Sequence, residues 1–95
     1  MNQYELVVII HPGLDEDAVN QSLDKIKGWV AASDGNIAGI DTWGKRRLAY
    51  SIQKQNEGLY YLLNIEVAPS AVAELERNLH ILEPVMRFSI IAKEG

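Results

Sequence analysis

The 95-residue chain contains no cysteine, which excludes disulfides, iron–sulfur clusters and thiolate zinc sites. A thiol-free chain fits a reducing compartment, and the cytoplasm is the expected location. Histidine is nearly absent as well: only His11 and His80 occur, one in a turn and one late in a helix, with no spacing typical of metal ligands. No apolar run reaches the length of a membrane span. Met1-Asn2-Gln3-Tyr4 lacks the basic and apolar segments of a signal peptide. Repeats, low-complexity tracts and linkers are missing too, so residues 1–95 are read as a single domain.

Catalytic constellations are equally scarce. None of Ser22, Ser33, Ser51, Ser70 and Ser89 sits in a nucleophile elbow, and no glycine-rich phosphate loop follows a strand. Asp15, Glu16 and Asp17 resemble a metal cluster only superficially, because acids at this place suit the positive end of a helix dipole. The expectation is a protein that is not an enzyme and takes no cofactor, metal or small-molecule substrate.

What is present is an uneven charge distribution. Nine Lys and Arg stand against thirteen Asp and Glu, a net charge of −4. Between Asp41 and Glu57 there is no acid at all, while Lys45, Arg46, Arg47 and Lys54 fall there. That segment carries +4, which leaves −8 on the remainder of the −4 chain. Cations gathered in this way serve a local contact with an anionic partner, or they guard an edge strand against aggregation. The charge pattern alone does not choose between the two.

Hydrophobic periodicity sets the elements. Tyr4, Leu6, Val8 and Ile10 alternate with Glu5, Val7 and Ile9, predicting a strand with the first set toward a core. His11-Pro12-Gly13 ends it. Asp15 is the predicted N-cap of a helix whose stripe is Val19, Leu23, Ile26 and Val30. The helix is expected to stop near Ser33 with Gly35 as its left-handed terminal residue. A long second strand, roughly 37–53, contains glycines at 39 and 44 that predict bulges or a bend. Beyond Gly44, Arg46, Leu48, Tyr50 and Ile52 are placed on one face, with Lys45, Arg47, Ala49 and Ser51 on the other. The polar run 53–58 reads as a hairpin loop. Leu59 to Val67 is the third strand, and Ala68-Pro69-Ser70 opens a second helix with the stripe Val72, Leu75, Leu79 and Leu82. Val85 to Lys93 is the last strand.

Strand, helix, strand, strand, helix, strand, with right-handed crossovers, predicts a ferredoxin-like βαββαβ sandwich of the α+β class. Its four antiparallel strands are expected in the order 4-1-3-2, with both helices on one face and the cationic second strand at an edge. The helix-free face is assigned Glu5, Val7, Ile9, Tyr60, Leu62, Asn64, Arg87 and Ile91. The third strand, Gly58 to Asn64, lacks the basic-aromatic-glycine run of an RNA-recognition motif. Any RNA contact is therefore expected from Lys45, Arg46, Arg47 and Lys54 on phosphates, by shape rather than base-edge readout. Tyr60 and Arg87 complete the candidate RNA- or partner-binding set.

Several segments are similar to a known family. Tyr4-Glu5, Pro12 to Asp15, Gly44 to Tyr50 with Ile52 and Lys54, Gly58 to Tyr60, Leu75 to Leu79 and Val85 to Arg87 resemble bacterial small-subunit ribosomal protein six. The Arg46 to Tyr50 stretch is the specific part. The resemblance implies a structural and assembly role in the small ribosomal subunit. It implies binding to the central domain of small-subunit ribosomal RNA together with ribosomal protein eighteen, without catalysis. Lys45, Arg46, Arg47 and Lys54 match the family's basic strand and loop lysine. Members of that family often carry an acidic C-terminal extension. Because the sequence ends in Lys93-Glu94-Gly95, that feature is not carried over. The alternative reading, a small-molecule-sensing regulatory domain of the same fold, requires a concave pocket between subunits with convergent polar groups.

Overall fold

The computed structural model describes residues 1–93. The last two positions, on which the C-terminal expectation falls, lie outside the described residues. Seven elements follow in order: β1 Asn2–Ile10, α1 Glu16–Ala32, β2 Asn36–Ile52, β3 Gln55–Val67, a 3-10 turn Pro69–Ala71, α2 Val72–His80 and β4 Val85–Ala92. The strands form one antiparallel sheet in the order β2-β3-β1-β4, as the alternation and topology predicted.

Period-two alternation decides which side of the sheet is buried. Tyr4, Leu6 and Val8 of β1 pair with Ile65, Leu63 and Tyr61 of β3, so their side chains share one face. That face packs on Leu23, Ile26 and Val30 of α1 and on Leu75 and Leu79 of α2. Leu6, Val8, Ile10, Ile26 and Leu63 have no exposed surface. Burying each such side chain stabilises the fold by about 1.5–3 kcal/mol relative to exposure. Ser22, the buried polar residue on α1, is satisfied because its hydroxyl donates to the Ala18 carbonyl at 3.1 Å.

Both ends of α1 have physical causes. Asp15 is the N-cap, its carboxylate accepting the Ala18 N–H at 2.8 Å. At the other end, the Gly35 N–H reaches the Val30 carbonyl at 2.9 Å and the Asp34 N–H reaches that of Ala31 at 3.1 Å. This pair of bonds is the Schellman motif. Its left-handed residue is Asp34, with φ 58°, and not Gly35 as the sequence led us to expect. Asp tolerates this region better than most residues. Gly35 is required for a different reason: a Cβ there would lie 2.7 Å from the Glu66 carbonyl and 2.9 Å from that of Val30.

The β2–β3 hairpin also departs from expectation. The predicted six-residue loop is a two-residue turn, Gln53-Lys54, closed by the Ile52–Gln55 pair. Both turn residues have positive φ, 51° and 66°, the condition for a two-residue turn matched to strand twist. Because neither is Gly or Asn, the turn was illegible. The expected bulges at the glycines are present, with register shifts between Ile37 and Gly39 and between Thr42 and Gly44. A third shift between Arg47 and Ile52 inserts extra β2 residues, so the strict alternation assigned to Leu48–Ser51 does not hold.

Candidate nucleic-acid interface

The cationic series lies on β2, an edge strand, where one side of the backbone has no neighbour. Lys45 pairs with Leu59 and Arg47 with Glu57, while Arg46 pairs with Gly58. Lys45 and Arg47 therefore share the helix-side set, and Arg46 stands on the opposite, open face. All three are exposed, as is Lys54 in the turn. Among the described residues the ion pair within 4.0 Å is Lys27–Asp24, so none of the strip's cations is held in a salt bridge, although Glu57 stands directly across the ladder from Arg47. Arg46 alone is tethered, its Nε donating to the Trp43 carbonyl at 3.2 Å.

Gly44 adopts φ 78° and occupies a bulge in which two β2 residues, Trp43 and Gly44, oppose the single Tyr60. The Trp43 ring is stacked on Tyr60, with centroids 6.4 Å apart and planes within 16°. Trp43 is 42% exposed. Tyr60 is thus half of an aromatic pair beside Arg46, a feature the sequence reading missed. The signal was available in the Trp43-Gly44 dipeptide, because a glycine bulge brings its neighbour to the same face.

The open face is less bare than expected. Ile9 is only 8% exposed. Ile9, Met86 and Leu48 converge over Gly58, where an added Cβ would collide with Ile9, press on Met86 at 3.3 Å and touch Leu48 at 3.7 Å. The hairpin curls across the face, and the Tyr50 hydroxyl accepts from Arg87 of β4, whose guanidinium lies 5.6 Å from the Tyr50 ring centroid. Arg87, placed in the candidate set, is therefore engaged within the chain by Tyr50. Glu5, Val7, Leu62 and Asn64 remain half-buried and Ile91 exposed.

Both histidines have local roles. His11 Nδ1 accepts the Gly13 N–H at 3.0 Å, and His80 meets Phe88 edge-on at 4.9 Å. Among the described residues no cluster of three acidic, His or Cys side chains is placed to hold a metal ion, and no helix is long and apolar enough to cross a membrane.

These elements define a ferredoxin-like α+β sandwich with its cations concentrated on one edge strand. The family model for ribosomal protein S6 matches residues 3–92. Small ribosomal subunit protein bS6 of Alkaliphilus oremlandii is 49% identical over 94 residues, covering 99% of each chain. The same protein of Rhodococcus opacus is 46% identical over 91 residues, covering 96% of each. The crystal structure of 30S ribosomal protein S6 from Thermotoga maritima superposes with a TM-score of 0.90 at 25% identity, over 97% of this chain and 87% of that one. A solution structure of the C-terminal domain of MgtC from Mycobacterium tuberculosis shares the fold, with a TM-score of 0.67 at 18% identity. The chain belongs to the ribosomal protein S6 family, whose members are structural proteins of the small ribosomal subunit.

Proposed function

We propose that this protein is a non-catalytic assembly component that binds the central domain of small-subunit ribosomal RNA jointly with ribosomal protein eighteen, in the cytoplasm. The observation that carries the reading is the exposed series Lys45, Arg46 and Arg47 on an edge strand, none of them in a salt bridge among the described residues. Lys54 supports it: a lysine held at φ 66° is costly backbone, and such positions collect at functional sites. Phosphate contacts from four cations give modest, salt-sensitive affinity. The remainder of the chain is acidic, so a basic partner protein supplies the missing positive charge while this protein supplies shape. Linking the two on one RNA raises the effective concentration of each.

Filter binding of a central-domain RNA fragment tests this with the chain alone, the partner alone, and both together. Joint binding is expected to be at least about tenfold tighter than either alone, equivalent to about 1.4 kcal/mol. Equally tight binding by this chain alone contradicts the proposal.

A further inference from the structure

The β2–β3 hairpin outruns the sheet. β1 pairs with β3 only as far as Ile10–Leu59, so the hairpin from Arg47 to Glu57 has no third strand beside it. Its own ladder is broken as well. Between the pairs Arg47–Glu57 and Ile52–Gln55, the residues Leu48, Ala49, Tyr50 and Ser51 oppose Asn56 alone. None of residues 48–57 is among the core side chains or the half-buried apolar ones packed against them. At the hairpin's base Leu48 joins Ile9 and Met86 over Gly58. At its tip Gln53 lines a surface hollow of about 620 Å³ together with Glu76, His80 and Ser89, so no packed layer supports the turn there.

One side-chain pair ties this projection to another strand. Arg87 of β4 pairs with Ile9, which puts its side chain on the open face. There its guanidinium donates to the Tyr50 hydroxyl and lies 5.6 Å from the ring centroid. Among the described residues no other side-chain hydrogen bond joins 48–57 to the rest of the chain. Burial does not place either residue, because Arg87 is exposed and Tyr50 is 59% exposed. Glu76 lines the same hollow as Arg87, yet the two form no ion pair within 4.0 Å. The guanidinium is committed to the phenol instead. A cation–π contact and a hydrogen bond at an exposed site together favour the docked hairpin over a released one by about tenfold.

We propose that Arg87 and Tyr50 form a latch that holds the hairpin tip against β4 and so fixes where Lys54 stands relative to Lys45, Arg46 and Arg47. The strand cations are placed by their ladder to Leu59, Gly58 and Glu57. Lys54, at the end of an unsupported hairpin, has no such support of its own. Holding it in the conformation that meets a phosphate lowers the ordering cost of binding. Arg87 and Tyr50 are therefore positioning residues: the RNA meets Lys54, and Arg87 acts on that contact only through Tyr50. The assignment rests on the RNA reading above, and it moves Arg87 from the set of direct contacts to the support of one of them.

The test reads hairpin order and RNA binding in the same variants. In NMR relaxation of the free protein, amide order at Gln53, Lys54 and Gln55 is expected to fall in Tyr50→Leu and in Arg87→Ala, with Leu6 and Leu63 unchanged. Filter binding of the central-domain RNA fragment, with the partner protein present, is expected to weaken about threefold to tenfold in either variant. Tyr50→Phe, which keeps the ring beside the guanidinium, loses less. In a Lys54→Gln background neither Tyr50→Leu nor Arg87→Ala costs anything further, because the latch then has no contact to place. The proposal is overturned if the hairpin amides keep their order in both variants, or if the Tyr50→Leu and Lys54→Gln losses simply add. It is equally overturned if Arg87→Ala still weakens binding in a Tyr50→Leu background, since Arg87 then touches the RNA itself. Absence of joint RNA binding by the parent protein is a separate result: it removes the RNA reading, and this assignment with it.

Discussion

Replacing Lys54 by glycine should move stability and RNA affinity in opposite directions. Lys54 occupies the left-handed region at φ 66° and follows Gln53 at φ 51°. For an L-residue with a Cβ that region costs about 1–2 kcal/mol. Glycine removes the cost but gains about 0.5–1 kcal/mol of unfolded-state freedom. The net expectation is stabilisation of about 0.5–1 kcal/mol, or a rise in Tm of about 3–6 °C for a domain of this size. Urea unfolding measures it, with an unchanged slope confirming that the denatured state is the same. In the RNA assay, with the partner present, the same substitution should lower affinity. It should also flatten the dependence of log K on log salt by about 0.7–0.9, one phosphate contact. Gln53→Gly is the control: it relieves the same kind of strain without removing charge, so it should stabilise and leave RNA binding alone. The reasoning is refuted if Lys54→Gly destabilises the hairpin, or if RNA affinity and its salt dependence match the parent.

Three further outcomes follow from the same geometry. The double substitution Arg46→Ala and Arg47→Ala should reduce the salt slope of joint RNA binding by about 1.4–1.8. Both residues are exposed and neither forms a salt bridge within 4.0 Å among the described residues, so stability should change by less than about 0.5 kcal/mol in urea unfolding. Normal RNA binding combined with new aggregation in light scattering would instead identify these arginines as edge guards. Gly35→Ala should cost about 1–3 kcal/mol, because its Cβ meets two backbone carbonyls that cannot swing away; a change below about 0.5 kcal/mol would show the approach to be looser. Leu79→Ala, at a site 1% exposed between α2 and the sheet, should cost about 2–5 kcal/mol by calorimetry or urea, and a smaller loss would mean that α2 is poorly packed.

Wherever periodicity coincides with burial, the sequence was enough to read the fold. Tyr4, Leu6 and Val8, and the α1 stripe through Ile26, lie in the core as their spacing required. What escaped was local chemistry that breaks the usual residue preferences. Asp34 took the left-handed position that Gly35 was expected to hold, because Gly35 was needed for close approach to Glu66 and Val30. The Gln53-Lys54 turn carries no glycine or asparagine, so its two-residue length was hidden. These misses altered the candidate site. Trp43 stacks on Tyr60 because a bulge puts two residues opposite one, and Tyr50 reaches Arg87 because extra β2 residues let the hairpin fold over the open face. The cations, by contrast, were legible from the absence of acids between Asp41 and Glu57.

Sedimentation from cells tests the central claim most directly. An epitope-tagged copy of the chain, expressed in a bacterial host and run through a sucrose gradient, is expected to travel with the small-subunit and whole-ribosome peaks. At a magnesium concentration that separates the subunits, it should follow the small one. Recovery of the tagged protein only at the top of the gradient, with ribosomal RNA and native ribosomal proteins sedimenting normally, would contradict the account.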